Sequence, residues 1–482
     1  MTAPSVAKVF ADYRGAGHVT APAGFGKTHL IAEAVSYGAT PVLVLTHTFA
    51  GVNALRRKMS ELRVPGGTFQ LETIASWSLK LCLSFSKTAG WTVERPASDQ
   101  WSKLYSACAH LVAQPFIRTI LRASYSNIYV DEYQDCSTAQ HALIVALSNV
   151  VPCKVVGDAL QGIFDFSDDA AVDWDADVTP AFPRVGQLSV AHRWNRAGAP
   201  RLADWIAQVR ARLEVGAVID LTRGLPPEVT LELARDADAL MRYQITKCKT
   251  FDCASGETVV AIHKGDPTHK RRCQKLAQST GGRFSAIDEV EGRDLFAAVK
   301  RRGRCENANE RLKAIVELAA DCMTGISTAL PEQTRRGEFA RVRLNTRNPE
   351  LTEKANACLA ADDREVAATI EFLSAIRTTT GVKLYRGDLF HRMMGVLRKQ
   401  LASPSMSVDE AAESYQAEFR HLGRMMGRRV VGTTLLVKGL EFDHAIVLDA
   451  ASLRRRDFYV AITRGAKSLT ILSTASRINP PD

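Results

Sequence analysis

The chain has 482 residues, of which 46% are hydrophobic and 24% charged, with a net charge of +10. That length is too great for one core and suits two to four domains. The composition is that of an ordinary globular protein, and no repeat or low-complexity tract interrupts it. The positive balance is compatible with a polyanionic partner.

The start "MTAPSVAKVFADYRG" lacks the apolar core of a signal peptide, and the longest apolar run, "TPVLVLTHTF", falls far short of a membrane span. The ten cysteines form no C-x-x-C pair, so they read as reduced thiols, each a small buried hydrophobe. The expectation is a cytoplasmic protein with no membrane partner.

"HVTAPAGFGKTHLIAEAV" (His18 to Val35) predicts a strand end, a loop and a helix. Ala21 to Thr28 is A-x-x-x-x-G-K-T, a P-loop with alanine at its first position. Gly24 and Gly26 let backbone N–H groups wrap phosphate oxygens, Lys27 reaches the outer phosphates, and the Thr28 hydroxyl suits Mg²⁺. Next come a strand, a threonine-bearing turn and a basic helix in "VLVLTHTFAGVNALRRKM", then another threonine turn in "LETIASWSLKL".

"SNIYVDEYQDCS" (Ser126 to Ser137) starts as a buried strand and ends in acids. Adjacent carboxylates at Asp131 and Glu132 repel unless a cation or proton settles the charge. With a P-loop in the same chain, Asp131 can share a Mg²⁺ with Thr28, and Glu132 is placed to orient and deprotonate a water. Further blocks follow: "KVVGDALQGIFDF", "LSVAHRWNRAG", "GTTLLVKGLEFDHAIVLD" and "RRRDFYVAITRGAKSLTIL".

In this order the blocks resemble the motif set of UvrD/Rep/PcrA-type superfamily-one DNA helicases. The resemblance is close over residues 20–200 and 430–475 and loose between them, and "DEYQD" and "KGLEF" set it apart from the RecD-like branch. It implies ATP and Mg²⁺ as cofactors, held by Lys27, Thr28, Asp131 and Glu132. Gln161 matches the glutamine that senses the γ-phosphate. Arg193 and Arg464 match two arginines that reach it from the second core domain, and Glu441 matches a glutamate near the nucleotide sugar. Gln134 and Asp135 match residues joining the hydrolysis site to the moving interface. Thr46, Thr48, Thr73 and Thr433 match hydroxyl contacts to the DNA backbone, and Phe164 and Phe166 match aromatics that stack on bases, although their strand-like alternation leaves room for only one to stack.

The sequence departs from the pattern in places. No glutamine precedes Ala21 to read adenine. His192 stands where the family has a tyrosine, as a ring that either stacks on the base or packs as a structural histidine. Leu435 and Val437 replace a histidine and a small residue, and Gly465 replaces an alanine. The basic runs "ALRRKM", "HKRRCQKL", "VKRRGRC" and "LRRRDF" divide between solvated faces and a nucleic-acid track.

The fold class expected is α/β, two RecA-like P-loop NTPase domains with helical insertions. Residues 1–186 form the first domain with a helical insert at about 80–125; residues 187–300 and 429–482 form the second, and 301–428 a helical subdomain within it. The compact layout, ending soon after the last block, resembles the helicase subunit GajB of Gabija anti-phage systems, which works beside a separate nuclease subunit. The implied activity is ATP-dependent translocation on single-stranded DNA or tailed duplex, 3′ to 5′. A second reading is a nucleotide-gated regulatory or sensor subunit that binds nucleic acid with little unwinding, and a third is action on RNA.

Overall fold

The computed structural model describes residues 5–38, 41–164, 169–289, 291–361, 365–422 and 427–481. Phe166, one of the two expected stacking aromatics, lies outside them. Two compact units divide the chain. The first holds 1–217, 454–467 and 481–482, and the second holds 218–453 and 468–480.

The first unit is built on six strands: β1 (Gly17–Thr20), β2 (Val42–Thr46), β3 (Phe69–Thr73), β4 (Ile128–Val130), β5 (Cys153–Gly157) and β6 (Arg184–Gln187). They lie in the order β3-β2-β4-β5-β1-β6, every neighbour parallel. β2 and β5 are buried along their whole length. Sheets covered on both faces need such continuous apolar runs, which explains "VLVLT". Phe10, Leu30 and Val44 centre one core, and Trp77, Leu111 and Ile144 another. The latter is lined by the helices Ile74–Ser84, Trp101–Val112 and Pro115–Ser124, the first of which begins ahead of the 80–125 stretch read as an insert.

The second unit carries β7 (Ile219–Asp220), β8 (Val229–Leu233), β9 (Val259–His263), β10 (Ser285–Ala286), β11 (Met323–Thr324), β12 (Lys383–Leu384), β13 (Arg429–Thr433), β14 (Phe442–Val447), β15 (Gly465–Ser473) and β16 (Arg477–Ile478), although the first residues of β15 belong to the first unit. Its main sheet has the order β10-β13-β9-β14-β15-β8, and the β10–β13, β13–β9, β9–β14 and β15–β8 pairs run parallel. These are two RecA-like parallel sheets. Helices between Arg293 and Leu422 enclose a separate core around Leu312, Phe372 and Leu397. No helix among the described residues is long and apolar enough to cross a membrane.

His263 closes β9 and is 2% exposed, and its Nδ1 has no hydrogen-bond partner among the described residues. Burial, then His269 and Arg272, lower its pKa to about 3, against a smaller opposite pull from Asp266. A base with a depressed native pKa binds fewer protons folded than unfolded, so stability is full above about pH 6.5 and falls with pH. Between pH 7 and 4.5 the loss from this group is about 2–3 kcal/mol. His263→Gln should flatten that part of the acid limb, read from urea midpoints across the range.

Candidate functional site

The carboxyl ends of the first sheet's strands gather the sequence blocks, as parallel α/β sheets gather ligand sites. β1 runs into the P-loop, β4 into Asp131 and Glu132, β5 into Asp158 and Gln161, and β6 into the Arg193 segment. The helix Lys27–Ser36 starts from Gly26 at φ 96°, and Gly24 sits at φ 73°. A Cβ on Gly24 would lie 2.8 Å from Trp194 Cζ3 and 3.0 Å from Arg193 Cβ. Glycine is therefore required there by both backbone conformation and space. Gly24→Ala should cost at least ~1–2 kcal/mol for the left-handed backbone alone and more for the clash. Gly198, at φ 74° with nothing within 4 Å of its Cβ position, isolates the backbone part. Thermal melts of Gly24→Ala and Gly198→Ala should differ, with Gly24→Ala the less stable and weaker in nucleotide affinity.

Lys27 is buried, and its Nζ lies 3.4 Å from Glu132 Oε1. Asp131 is also buried; desolvation, then the Glu132 charge beside it, push its carboxyl up to about 7 against the pull of Lys27. Glu132 adopts φ 53°, a left-handed backbone rare outside glycine, and its N–H donates to Asp131 Oδ1 at 2.9 Å. Such conformations cost of order 1–3 kcal/mol and cluster at active sites. Gln134 donates from Nε2 to Glu132 Oε2, and its Oε1 accepts the Asp158 N–H at 2.9 Å. One amide thus ties the acidic turn after β4 to the turn after β5.

Asp158 is fully buried and is the hub of the site. Its carboxylate accepts from Ala23 N of the P-loop at 3.2 Å, Leu160 N at 3.3 Å, Gln161 Nε2 at 2.8 Å and Arg210 Nη1 at 2.7 Å. Arg210 also donates to the Tyr459 hydroxyl at 2.8 Å, and Ala23 N reaches that hydroxyl at 3.4 Å. Burial lowers the Arg210 pKa, but Asp158 and Tyr459 outweigh it and the net shift is upward. Sequence reasoning missed Arg210 and Tyr459. Nothing in "VRARLE" separates Arg210 from a surface arginine, whereas Tyr459 stands inside the last motif block.

Arg193 and Arg464 both fall in the first unit with the P-loop, rather than in the second domain to which the resemblance assigned them. The unit extends to residue 217, past the expected boundary at 186, because the segment after β6 packs on the P-loop. Arg193 N donates to Gly24 O at 3.0 Å, its Nη1 to Thr463 O at 2.5 Å, and Trp194 Nε1 to Gly465 O at 3.0 Å. Arg464 is 1% exposed and donates to Val460 O and Thr463 Oγ1, each at 2.9 Å. His192 is exposed, and its Cδ2 lies 3.4 Å from where a Gly26 Cβ would be, so the buried structural reading of this ring does not hold.

Two of the four expected DNA-contacting threonines have local duties. Thr48 Oγ1 accepts Gly51 N at 3.1 Å and Thr73 Oγ1 accepts Ser76 N at 3.0 Å, each capping a helix. Thr46 and Thr433 are buried at strand ends, Phe164 is half-buried, and Glu441 is exposed before β14. Thr28 is half-buried in the first turn of its helix.

The fold and this site define a P-loop NTPase built on RecA-like sheets. Residues 92–171 match the UvrD/REP helicase N-terminal domain. Over 98 residues the chain is 37% identical to the exonuclease/helicase subunit RexA of Lactococcus lactis subsp. cremoris (strain MG1363). It is equally similar to a subunit of the ATP-dependent helicase/nuclease of Lactococcus lactis subsp. cremoris (strain SK11), 37% identical over 98 residues. Each match takes in 19% of this chain and 8% of the relative, so the chain spans a small part of the curated relatives it matches. The crystal structure of Pif1 helicase from Candida albicans aligns with 98% of this chain and 95% of that one, at 12% identity and a TM-score of 0.39. An arterivirus nonstructural protein 10 (helicase) with DNA aligns with 54% of this chain and 50% of that one, at 14% identity and a TM-score of 0.27. The motif blocks and the match over residues 92–171 make this part of the chain similar to the N-terminal domain of UvrD/REP helicases.

Proposed function

We propose that the chain is an ATP-driven motor that moves along single-stranded DNA, 3′ to 5′, and opens tailed duplexes. The observation that carries this reading is the convergence of Lys27, Asp131 and Glu132 on one P-loop, with Gln161 tied to the same loop through Asp158.

The residues fit the nucleotide and metal they would hold. The glycine cradle admits backbone N–H groups against phosphate, and a buried Asp131 pushed up to about 7 has a charge that a divalent cation would settle. Asp131 and Thr28 would hold Mg²⁺, and Lys27 the outer phosphates. Bound MgATP supplies the phosphoryl group and its electrostatic activation. Glu132 then orients a water and takes its proton, helped by the Gln134 hydrogen bond that fixes its carboxylate. Gln161, Arg193 and Arg464 are assigned to the charge that develops on the transferred group. Exposed His192 against the P-loop is assigned to stacking on the base.

A regulatory protein that gates on nucleotide without moving on DNA is the second reading, favoured by the capping duties of Thr48 and Thr73. Displacement of streptavidin from biotin at one or the other end of a DNA strand separates the two. Faster release from the 5′ end supports the 3′-to-5′ motor, and no ATP-dependent release from either end supports the gated reading. We also propose a separate nuclease partner, on the helicase/nuclease names of the relatives.

A further inference from the structure

Eight of the ten cysteines are buried, as expected of small hydrophobes, and Cys253 and Cys305 are half-buried. Cys253 stands apart because its thiol converges with Glu257 and His444, the ligand atoms of all three lying within 4.8 Å of one another. The three come from two segments of the second unit, the loop ahead of β9 and strand β14.

The cluster is held in place. His444 Nε2 faces Glu257 Oε2 at 3.0 Å while its Nδ1 meets Ser468 Oγ at 2.7 Å. A second partner on the far ring nitrogen is how metal-binding histidines are oriented. Glu257 Oε2 also accepts the Ala254 N–H at 2.8 Å, which folds the loop back on itself. Arg429 donates to Phe251 O at 2.8 Å and to Cys253 Sγ at 3.4 Å, fixing where the sulfur points. Asp443 and Thr258, between the ligands, exchange bonds of 2.9–3.0 Å that lock the two segments in register.

An ion pair alone would account for His444 and Glu257; the Cys253 thiol, within 4.8 Å of both, adds a third donor of a different chemistry. A tetrahedral zinc with bonds of ~2.0–2.3 Å needs donors roughly 3.3–3.8 Å apart, a spacing within reach of side chains whose ligand atoms all lie within 4.8 Å of one another. Thiolate and carboxylate would balance the dication, and the sulfur–nitrogen–oxygen set selects Zn²⁺ over Mg²⁺.

We propose that Cys253, Glu257 and His444 bind a zinc-class transition metal that staples the loop ahead of β9 to β14, with water as the fourth ligand. This site is independent of the P-loop.

The test is equilibrium dialysis of the full chain against Zn²⁺ with excess Mg²⁺, with Co²⁺ as a spectroscopic probe. One equivalent of zinc and a thiolate-to-cobalt charge-transfer band are expected. Cys253→Ser should abolish the band and weaken zinc at least tenfold, Ser468→Ala should weaken it about tenfold, and Cys305→Ser should change neither. His444→Gln serves as the second ligand variant if Cys253→Ser fails to fold. Absence of stoichiometric zinc, or binding and band unchanged in Cys253→Ser, would overturn the proposal.

Discussion

Glu132→Gln is expected to lower ATP turnover by about 10²–10⁴-fold, the usual contribution of a general base, with the fold and nucleotide binding retained. The substitution keeps the shape of the side chain and an oxygen able to accept from Gln134, so the turn after β4 stays in place. It removes the group that can take a proton from water and the partner 3.4 Å from Lys27. Single-turnover hydrolysis with a fluorescent-nucleotide binding control separates the two effects. Near-wild-type turnover would mean that the base lies elsewhere.

Arg210→Met is expected to destabilise the first unit by ~3–5 kcal/mol, the cost of leaving a buried charge without its partner. Asp158 is fully buried, and Arg210 supplies its ion pair within the unit. The loss should reach the P-loop, because the same carboxylate holds Ala23 N and Gln161 Nε2. Asp158→Asn combined with Arg210→Met removes the unpaired charge and should recover part of the stability. A double-mutant cycle by chemical denaturation measures the coupling, and additive losses would show that the pair does not act as a unit.

What the sequence made legible follows from how local each signal is. The P-loop and the Asp131–Glu132 turn are contiguous, and their residue types are dictated by phosphate and cation chemistry, so both stood out. The continuous apolar strands showed a doubly covered parallel sheet. Arg210 was invisible because its meaning depends on a carboxylate 52 positions away, and no helical pattern marks it. The packing of the Arg193 and Arg464 segments with the first sheet was equally hidden, since periodicity reports an element's buried face and not its neighbour. Thr48 and Thr73 show the converse: their positions matched the motif, but a threonine before a helix also caps it, and one sequence serves either duty. Cys253 read like its nine fellows until the fold set Glu257 and His444 beside it.

The most direct measurement is ATP hydrolysis by the purified chain alone, with single-stranded DNA, with duplex DNA and with RNA, using Glu132→Gln as the blank. Strong stimulation by single-stranded DNA over the other three conditions is the predicted result. A basal activity that no nucleic acid alters would contradict the motor reading.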